Sequence, residues 1–173
     1  APVEQLGYMA MVAVAATEAE AKRRAYQIAG YTRTQTRLAP QFMNPPGYVP
    51  AKAVAMGQRL ATNPHFIPES RTLELSNGSR VPLYDATIDQ LIDAHVVFAG
   101  TADQVFEQLR AYHRYVGGFG HLLMMGQGGN LGHADTLDSL ERFSRDVMPR
   151  LAELRIDDYM PPPLKPVAAR IGA

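Results

Sequence analysis

Hydrophobic residues run without polar alternation through three short segments of the chain: Tyr8 to Ala15, Val96 to Ala99 and His121 to Met125. Such runs are typical of strands that are covered on both faces. Each is followed by a segment in which apolar residues recur at helical spacing. Strands that alternate with helices imply parallel pairing through crossover helices, so the pattern predicts the α/β class.

Capping sequences mark where the first two of these helices begin. Thr17 to Glu20 (TEAE) and Thr101 to Gln104 (TADQ) both fit the capping box, in which a threonine hydroxyl and a Glu or Gln side chain satisfy free amides. The first helix is predicted to reach about Ile28, with Ala21 and Ala25 also on its apolar face and Lys22, Arg23 and Arg24 toward water. The second has the apolar positions Val105, Leu109, Tyr112 and Val116, before the left-handed stop Gly117-Gly118.

The third strand is followed by a glycine-rich turn, Gly126 to Gly132, and by a final helix. The apolar positions that predict this amphipathic helix are Leu137, Leu140, Val147, Leu151 and Leu154. A β-hairpin is predicted from Arg71 to Tyr84, because alternating residues surround the turn pair Asn77-Gly78. A short helix is predicted from Thr87 to Ala94.

The segment from Tyr31 to Pro68 has no clear period and is rich in proline, although a short helix from about Ala51 to Leu60 is predicted within it. We interpret residues 31–84 as an excursion plus hairpin within one domain, 1–155. Residues 156–173, with three successive prolines, form a tail.

Composition narrows the function classes. Seventeen basic and seventeen acidic residues give a net charge of zero, which disfavours nucleic acid as a partner. The absence of cysteine excludes disulfides, thiolate catalysis and Cys-based metal sites. The apolar run Leu6 to Ala16 is too short to span a bilayer and lacks the basic flank of a signal peptide. We therefore expect a cytoplasmic protein without a membrane partner.

The glycine-rich turn offers the main candidate for ligand binding. It resembles a G-x-G-x-x-G phosphate loop, but Leu131 stands where the last glycine is needed. Its amides at Gly126, Gln127 and Gly128 are candidate contacts for an anion or a flat ring, and turn formation alone is the alternative. Thr101 occupies the same topological place after its strand, where helix capping also accounts for it.

Other chemistry has little support in the sequence. His133, beyond the third strand, is a weak candidate for proton transfer. The five histidines lack the spacing of a helical metal site, so no metal is predicted. Neither a G-x-S-x-G elbow nor a Walker A loop is present, which removes the main support for a serine hydrolase or a P-loop NTPase.

Several motifs together resemble one enzyme family. The run Val96 to Leu151 contains a Gly-Thr turn, a helix DQVFEQLR, a strand segment GGFGHLLMMGQ and a helix ending in DVMPRL. This order of motifs closely resembles the C-terminal end of the bacterial-luciferase-like, flavin-dependent monooxygenases. Residues 8–25 (YMAMVAVAATEAEAKRRA) and 42–48 (FMNPPGY) are also similar to that family.

The resemblance implies a (β/α)8 TIM barrel whose last three strands are the three predicted here. A barrel needs about 200 residues or more, so this chain of 173 would be its C-terminal part: about three βα units, the hairpin and the excursion. The family implies reduced FMN as cofactor, O2, a small organic substrate and a flavin reductase as partner. Alone, the chain is expected to be inactive and, because of its open sheet edges, to form a homo-oligomer.

Two alternatives to this interpretation stay open. One is a deazaflavin-dependent oxidoreductase of the same barrel type, in which hydride transfer replaces oxygenation. The other is a non-catalytic binding or assembly module, in which Gly126 to Gly132 is only a turn.

Overall fold

A computed structural model describes residues 5–30 and 72–155 of the chain. Five strands and five α-helices are present in this part. The strands are β1 (Gly7–Val14), β2 (Thr72–Glu74), β3 (Arg80–Pro82), β4 (Val97–Gly100) and β5 (His121–Met125). The helices are α1 (Glu18–Ile28), α2 (Ile88–Asp93), α3 (Ala102–Tyr115), α4 (His133–Arg142) and α5 (Met148–Ala152), with a π-helical turn Phe143–Val147 between the last two.

The three predicted buried strands form one parallel sheet, in the order β4-β1-β5. On one side of β1, Met11 lies opposite Val97 at the start of β4. On the other side, Gly7 lies opposite His121 at the start of β5. The neighbours of β1 are therefore staggered, so that β5 pairs with its first half and β4 with its second half.

Helices pack on both faces of this sheet. Alternate residues of a strand point to opposite faces. On one face, Met11, Ala13 and Ala15 pack with α1 and α2; on the other, Val12 and Val14 pack with α3 and the π-helical turn. The fold is thus α/β with three layers, which confirms the predicted class.

The arrangement differs from the prediction of three consecutive barrel strands. In a barrel, β4 would lie between β1 and β5, and all helices would be on the outer face. Here the chain leaves β1 for one edge and then crosses to the other edge. Crossovers of the same hand that run in opposite directions must pass over opposite faces, which explains why α1 and α3 lie on different sides.

Helix α1 buries the predicted residues Ala21, Ala25 and Ile28. The prediction that Arg24 points to water is wrong, because this side chain is buried with them. The predicted capping box is only half formed: the Thr17 hydroxyl accepts a hydrogen bond from the Glu20 amide. The Glu20 carboxylate binds Arg23 and Arg24 instead of reaching back.

The final helix also differs from its prediction. It buries Thr136, Ser139, Phe143 and Val147, at steps of three, four and four, and leaves Leu137 and Leu140 exposed. The helix is not uniform, because Pro149 in the first turn of α5 has no N–H to donate to the preceding turn. A π-helical turn precedes this proline, and α5 ends at Ala152, before Leu154.

The remaining local predictions agree with the structure where it describes them, with two exceptions. Val116, predicted on the apolar face of α3, is exposed, and β5, predicted to be covered on both faces, has no buried residue. The hairpin pairs β2 with β3 around Asn77-Gly78, and Gly78 has a φ of 80°. Thr101 caps α3 with the complete capping box that the sequence predicts, and Thr87 caps α2 with a second capping box that was not predicted. Gly117 and Gly118 both have positive φ after α3.

The predicted helix from Ala51 to Leu60, most of the excursion and the tail lie outside the described residues. None of the helices in residues 5–30 and 72–155 is long and apolar enough to cross a membrane.

Candidate functional site

The sheet order identifies one edge where open α/β sheets commonly bind ligands. Such sites lie beyond the carboxyl ends of the strands, at the point where successive connections diverge to opposite sides. Here that point is between β1 and β5. The turn Gly126 to Gly132 follows β5 at this edge, so the main sequence candidate lies at the expected place.

The chain itself fills the gap between β1 and β5. Strand β5 ends opposite Met11, which leaves Val14 without a strand partner on this side. The Val14 N–H donates to the Ser139 hydroxyl, at 2.9 Å, and the Val14 carbonyl accepts from Nη1 of Arg24, at 3.0 Å. A buried serine and a buried arginine therefore replace the missing strand, and neither was identified from the sequence.

Acidic residues surround the Arg24 guanidinium. Its nitrogens lie 2.7 Å from Asp138, 3.2 Å from Glu20 and 3.4 Å from Asp135. We call these four residues and Ser139 the Arg24 cluster. Because a buried guanidinium is costly unless its charge and its hydrogen bonds are satisfied, this set of acceptors explains how Arg24 lies inside the fold.

Two arginines outside the cluster, Arg23 and Arg142, also pair with its carboxylates. Hydrogen bonds from Arg23 and Arg24 lower the pKa of the Glu20 carboxyl to about 2, Arg23 contributing more. Hydrogen bonds from Arg142 and then Arg24 lower the pKa of Asp138. The carboxylates are therefore held in their charged form by pairing with arginine.

This pairing predicts a loss of stability in acid. A carboxyl whose pKa is lower in the folded than in the unfolded protein stabilises the fold above the unfolded value, and this contribution is lost as the pH falls. For Glu20 the window runs from 4.5 down to about 2. We expect the urea midpoint to fall across this window, and to fall less in Glu20→Gln. A matched control is Glu153→Gln, at an exposed position after α5. Equal acid dependence in both variants would contradict the assignment.

The glycine-rich turn packs against the end of α1. A Cβ at Gly128 would lie 3.2 Å from the Ile28 carbonyl oxygen, and one at Gly129 would lie 1.9 Å from that of Gln27. Gly126 is buried, and its Cβ would meet Met124 at 2.9 Å. Close packing accounts for these glycines, while a ligand role for Gly126, Gln127 and Gly128 stays a prediction.

The other two sequence candidates lie apart from this turn or are exposed. Thr101 follows β4, on the far side of β1, and strands two positions apart are separated by about 10 Å. Its hydroxyl accepts a hydrogen bond from the Gln104 main-chain N–H, and the Thr101 N–H donates to Oε1 of Gln104, so Thr101 caps α3. His133 is the exposed first residue of α4. The structure therefore does not bring Thr101 together with Gly126 to Gly128.

The sequence did contain an indication that Arg24 lies on the buried face of α1. Arg24 lies at the second position of the series 21, 24, 25 and 28, which has the spacing of one helix face. Comparisons of the chain with family models, curated proteins and solved structures find no match.

Proposed function

We propose that this chain is the C-terminal part of a flavin-dependent monooxygenase. In that enzyme, reduced FMN from a flavin reductase and O2 are used to oxygenate a small organic substrate. One observation carries the proposal: Val96 to Leu151 contains, in the family's order, a strand, a Gly-Thr turn, a capped helix, a strand and a helix. The turn at the carboxyl edge would then be a rim contact of the flavin pocket.

The residues at this edge do not by themselves fit the phosphate group of FMN. In the described part of the chain, the guanidinium groups of Arg23, Arg24 and Arg142 bind the carboxylates Glu20, Asp135 and Asp138. Three positive and three negative charges leave no excess charge for a phosphate. Under this proposal the phosphate site lies in the remainder of the enzyme, and the chain alone lacks monooxygenase activity.

The proposal includes a (β/α)8 barrel for the complete enzyme. That architecture requires β4 between β1 and β5, and α1 and α3 on the same face. Because the chain alone has neither arrangement, the barrel would form only with the preceding βα units. Pairs of cysteines introduced into this cysteine-free chain would report which strands are neighbours in each context.

We also propose that the chain alone self-associates, and an exposed apolar area supports this. Met9 and Leu123 are paired residues of β1 and β5, and they are 62% and 55% exposed. Strand β5 is also an edge strand of the described sheet. Because parallel sheets are normally covered on both faces, we propose that a second copy or the rest of the enzyme covers this area.

The test compares this chain with the complete gene product that contains it. We expect the chain alone to show no O2-dependent oxidation with photoreduced FMN, and the complete product to show it. Tight FMN binding with turnover by the chain alone would contradict the fragment interpretation.

Further measurements on the complete product separate the alternatives. Absorbance spectra recorded with FMN and with a deazaflavin distinguish oxygenation from hydride transfer. If the product has no activity with either cofactor and light scattering shows a defined dimer, the assembly module is correct and the proposed activity is wrong.

A further inference from the structure

A second candidate site lies beside the first half of β1, on the side of that strand that faces β4. It is a half-open cavity of about 250 Å³. Its described lining includes Tyr8, Met9, Met11, His95, Tyr112 and Met125. Three thioethers and two phenol rings give it a polarizable, mostly apolar wall, which suits a flat ring.

The stagger of the sheet exposes main-chain polar groups beside this cavity. Strand β4 begins opposite Met11, so the described residues place no strand beside β1 before that position. The Ala15 N–H donates to Gly100 of β4, whereas the Val14 N–H points to the other side. Since main-chain groups alternate along a strand, Met9 directs its N–H and C=O toward β4's side, where the described sheet offers no partner.

The segment before β4 is held away from this edge. His95 has a left-handed backbone, with φ of 58°, which is uncommon for a residue other than glycine. Its carbonyl accepts a hydrogen bond from the Tyr8 hydroxyl at 2.8 Å, and its ring lies 5.1 Å from that of Tyr112. These contacts hold the residues before β4 away from Met9. Strand β4 therefore does not extend beside the first half of β1, and the cavity stays open.

We propose that this cavity binds a neutral, flat heteroaromatic compound with an imide or lactam edge. The ring lies among Tyr112, Met11 and Met125, and its edge pairs with the N–H and C=O of Met9. A pair of main-chain groups on one strand residue offers one donor and one acceptor side by side, which matches a ring N–H next to a carbonyl. The proposal requires neither the flavin nor the barrel.

Size and charge agree with this class of ligand. The volume is below the roughly 300–1,000 Å³ of pockets for drug-sized ligands, so a two-ring compound fits better than a larger one. Burial lowers the pKa of His95, which disfavours the charged form of its imidazole. Burial likewise raises the pKa of the Tyr8 hydroxyl, which stays protonated as the donor to His95. A neutral ring therefore meets no fixed charge among these lining groups.

Quinazoline-2,4-dione is a suitable probe, because it has two fused rings and an N–H between two carbonyls. Its 1,3-dimethyl derivative keeps the rings and removes both donors. We expect calorimetric titration of the full chain to show binding of the first compound, and binding at least about tenfold weaker for the second, because its carbonyls and methyl groups cannot satisfy the Met9 carbonyl.

Two tyrosines on α3 provide matched variants. Tyr112 lines the cavity, whereas Tyr115 is 61% exposed and does not. Tyr112→Ala is expected to weaken binding of the probe about tenfold, and Tyr115→Ala to change it less than about twofold. Circular dichroism of each variant confirms that it is folded.

The unmodified chain keeps the test decisive even if Tyr112→Ala fails to fold. Absence of binding, or equal binding of the dimethylated compound, would overturn the proposal. So would a dimer in which the Met9 amide is protected from hydrogen exchange without the probe, because a strand of a second copy would then occupy this edge.

Discussion

Replacing Arg24 with methionine is expected to lower the free energy of unfolding by about 2–3 kcal/mol. The substitution keeps much of the side-chain volume but removes the donor to the Val14 carbonyl and the charge that faces Glu20, Asp135 and Asp138. The expected loss is below that for a fully buried ion pair because the three carboxylates are partly exposed. Urea unfolding followed by circular dichroism measures it.

The neighbouring arginine is a matched control. Arg23 binds two of the same carboxylates, Glu20 and Asp135, but its side chain is 47% exposed. Arg23→Met is expected to cost less than about 1 kcal/mol, as for other exposed ion pairs. If both substitutions cost the same, the stability would come from surface charge pairing, and burial of Arg24 against Val14 would not be the cause.

Replacing Gly129 with alanine is expected to destabilise the fold by about 2–4 kcal/mol. Gly129 has a φ of 56°, and its added Cβ would lie 1.9 Å from the Gln27 carbonyl oxygen. A main-chain atom cannot move away as a side-chain end can, so either the turn or the end of α1 must shift. Thermal or urea unfolding gives the loss directly.

Gly132, in the same turn, supplies the control for this prediction. It has an ordinary negative φ of −67°, and a Cβ there would meet nothing within 4 Å. Gly132→Ala is expected to change stability by less than about 1 kcal/mol. A large loss in both variants would indicate that the turn tolerates no side chain for a reason other than contact with α1.

The candidate sites show where sequence reasoning reaches its limit. Composition and motif spacing located the glycine-rich turn at a carboxyl edge, because a turn between a strand and a helix is a local feature. They did not identify Ser139, since its role depends on Val14, which is 125 positions away. Methionine is a residue type that suits a pocket for a flat ligand, but the location of the cavity beside Met9 does not follow from the sequence. The cavity exists because β4 starts late relative to β1, and stagger is a property of strand pairing.

By itself, the sequence determined the features that depend on neighbouring residues. These include the three strands of the parallel sheet, the threonine cap at Thr101 and the left-handed glycines after α3. Each follows from hydrogen bonds or backbone sterics within a few residues. The α/β class follows from the alternation of such elements.

Only the tertiary structure decided the order β4-β1-β5, the placement of helices on both faces and the buried side of the final helix. The period of apolar residues shows that a helix has a packing face, but polar residues with partners can belong to that face. Thr136 and Ser139 are buried while Leu137 and Leu140 stay exposed. The reason is that Ser139 accepts a hydrogen bond from the main-chain amide of Val14 in β1. Leaving that buried amide unpaired would cost free energy, and the pattern of apolar residues along the helix contains no information about this distant partner.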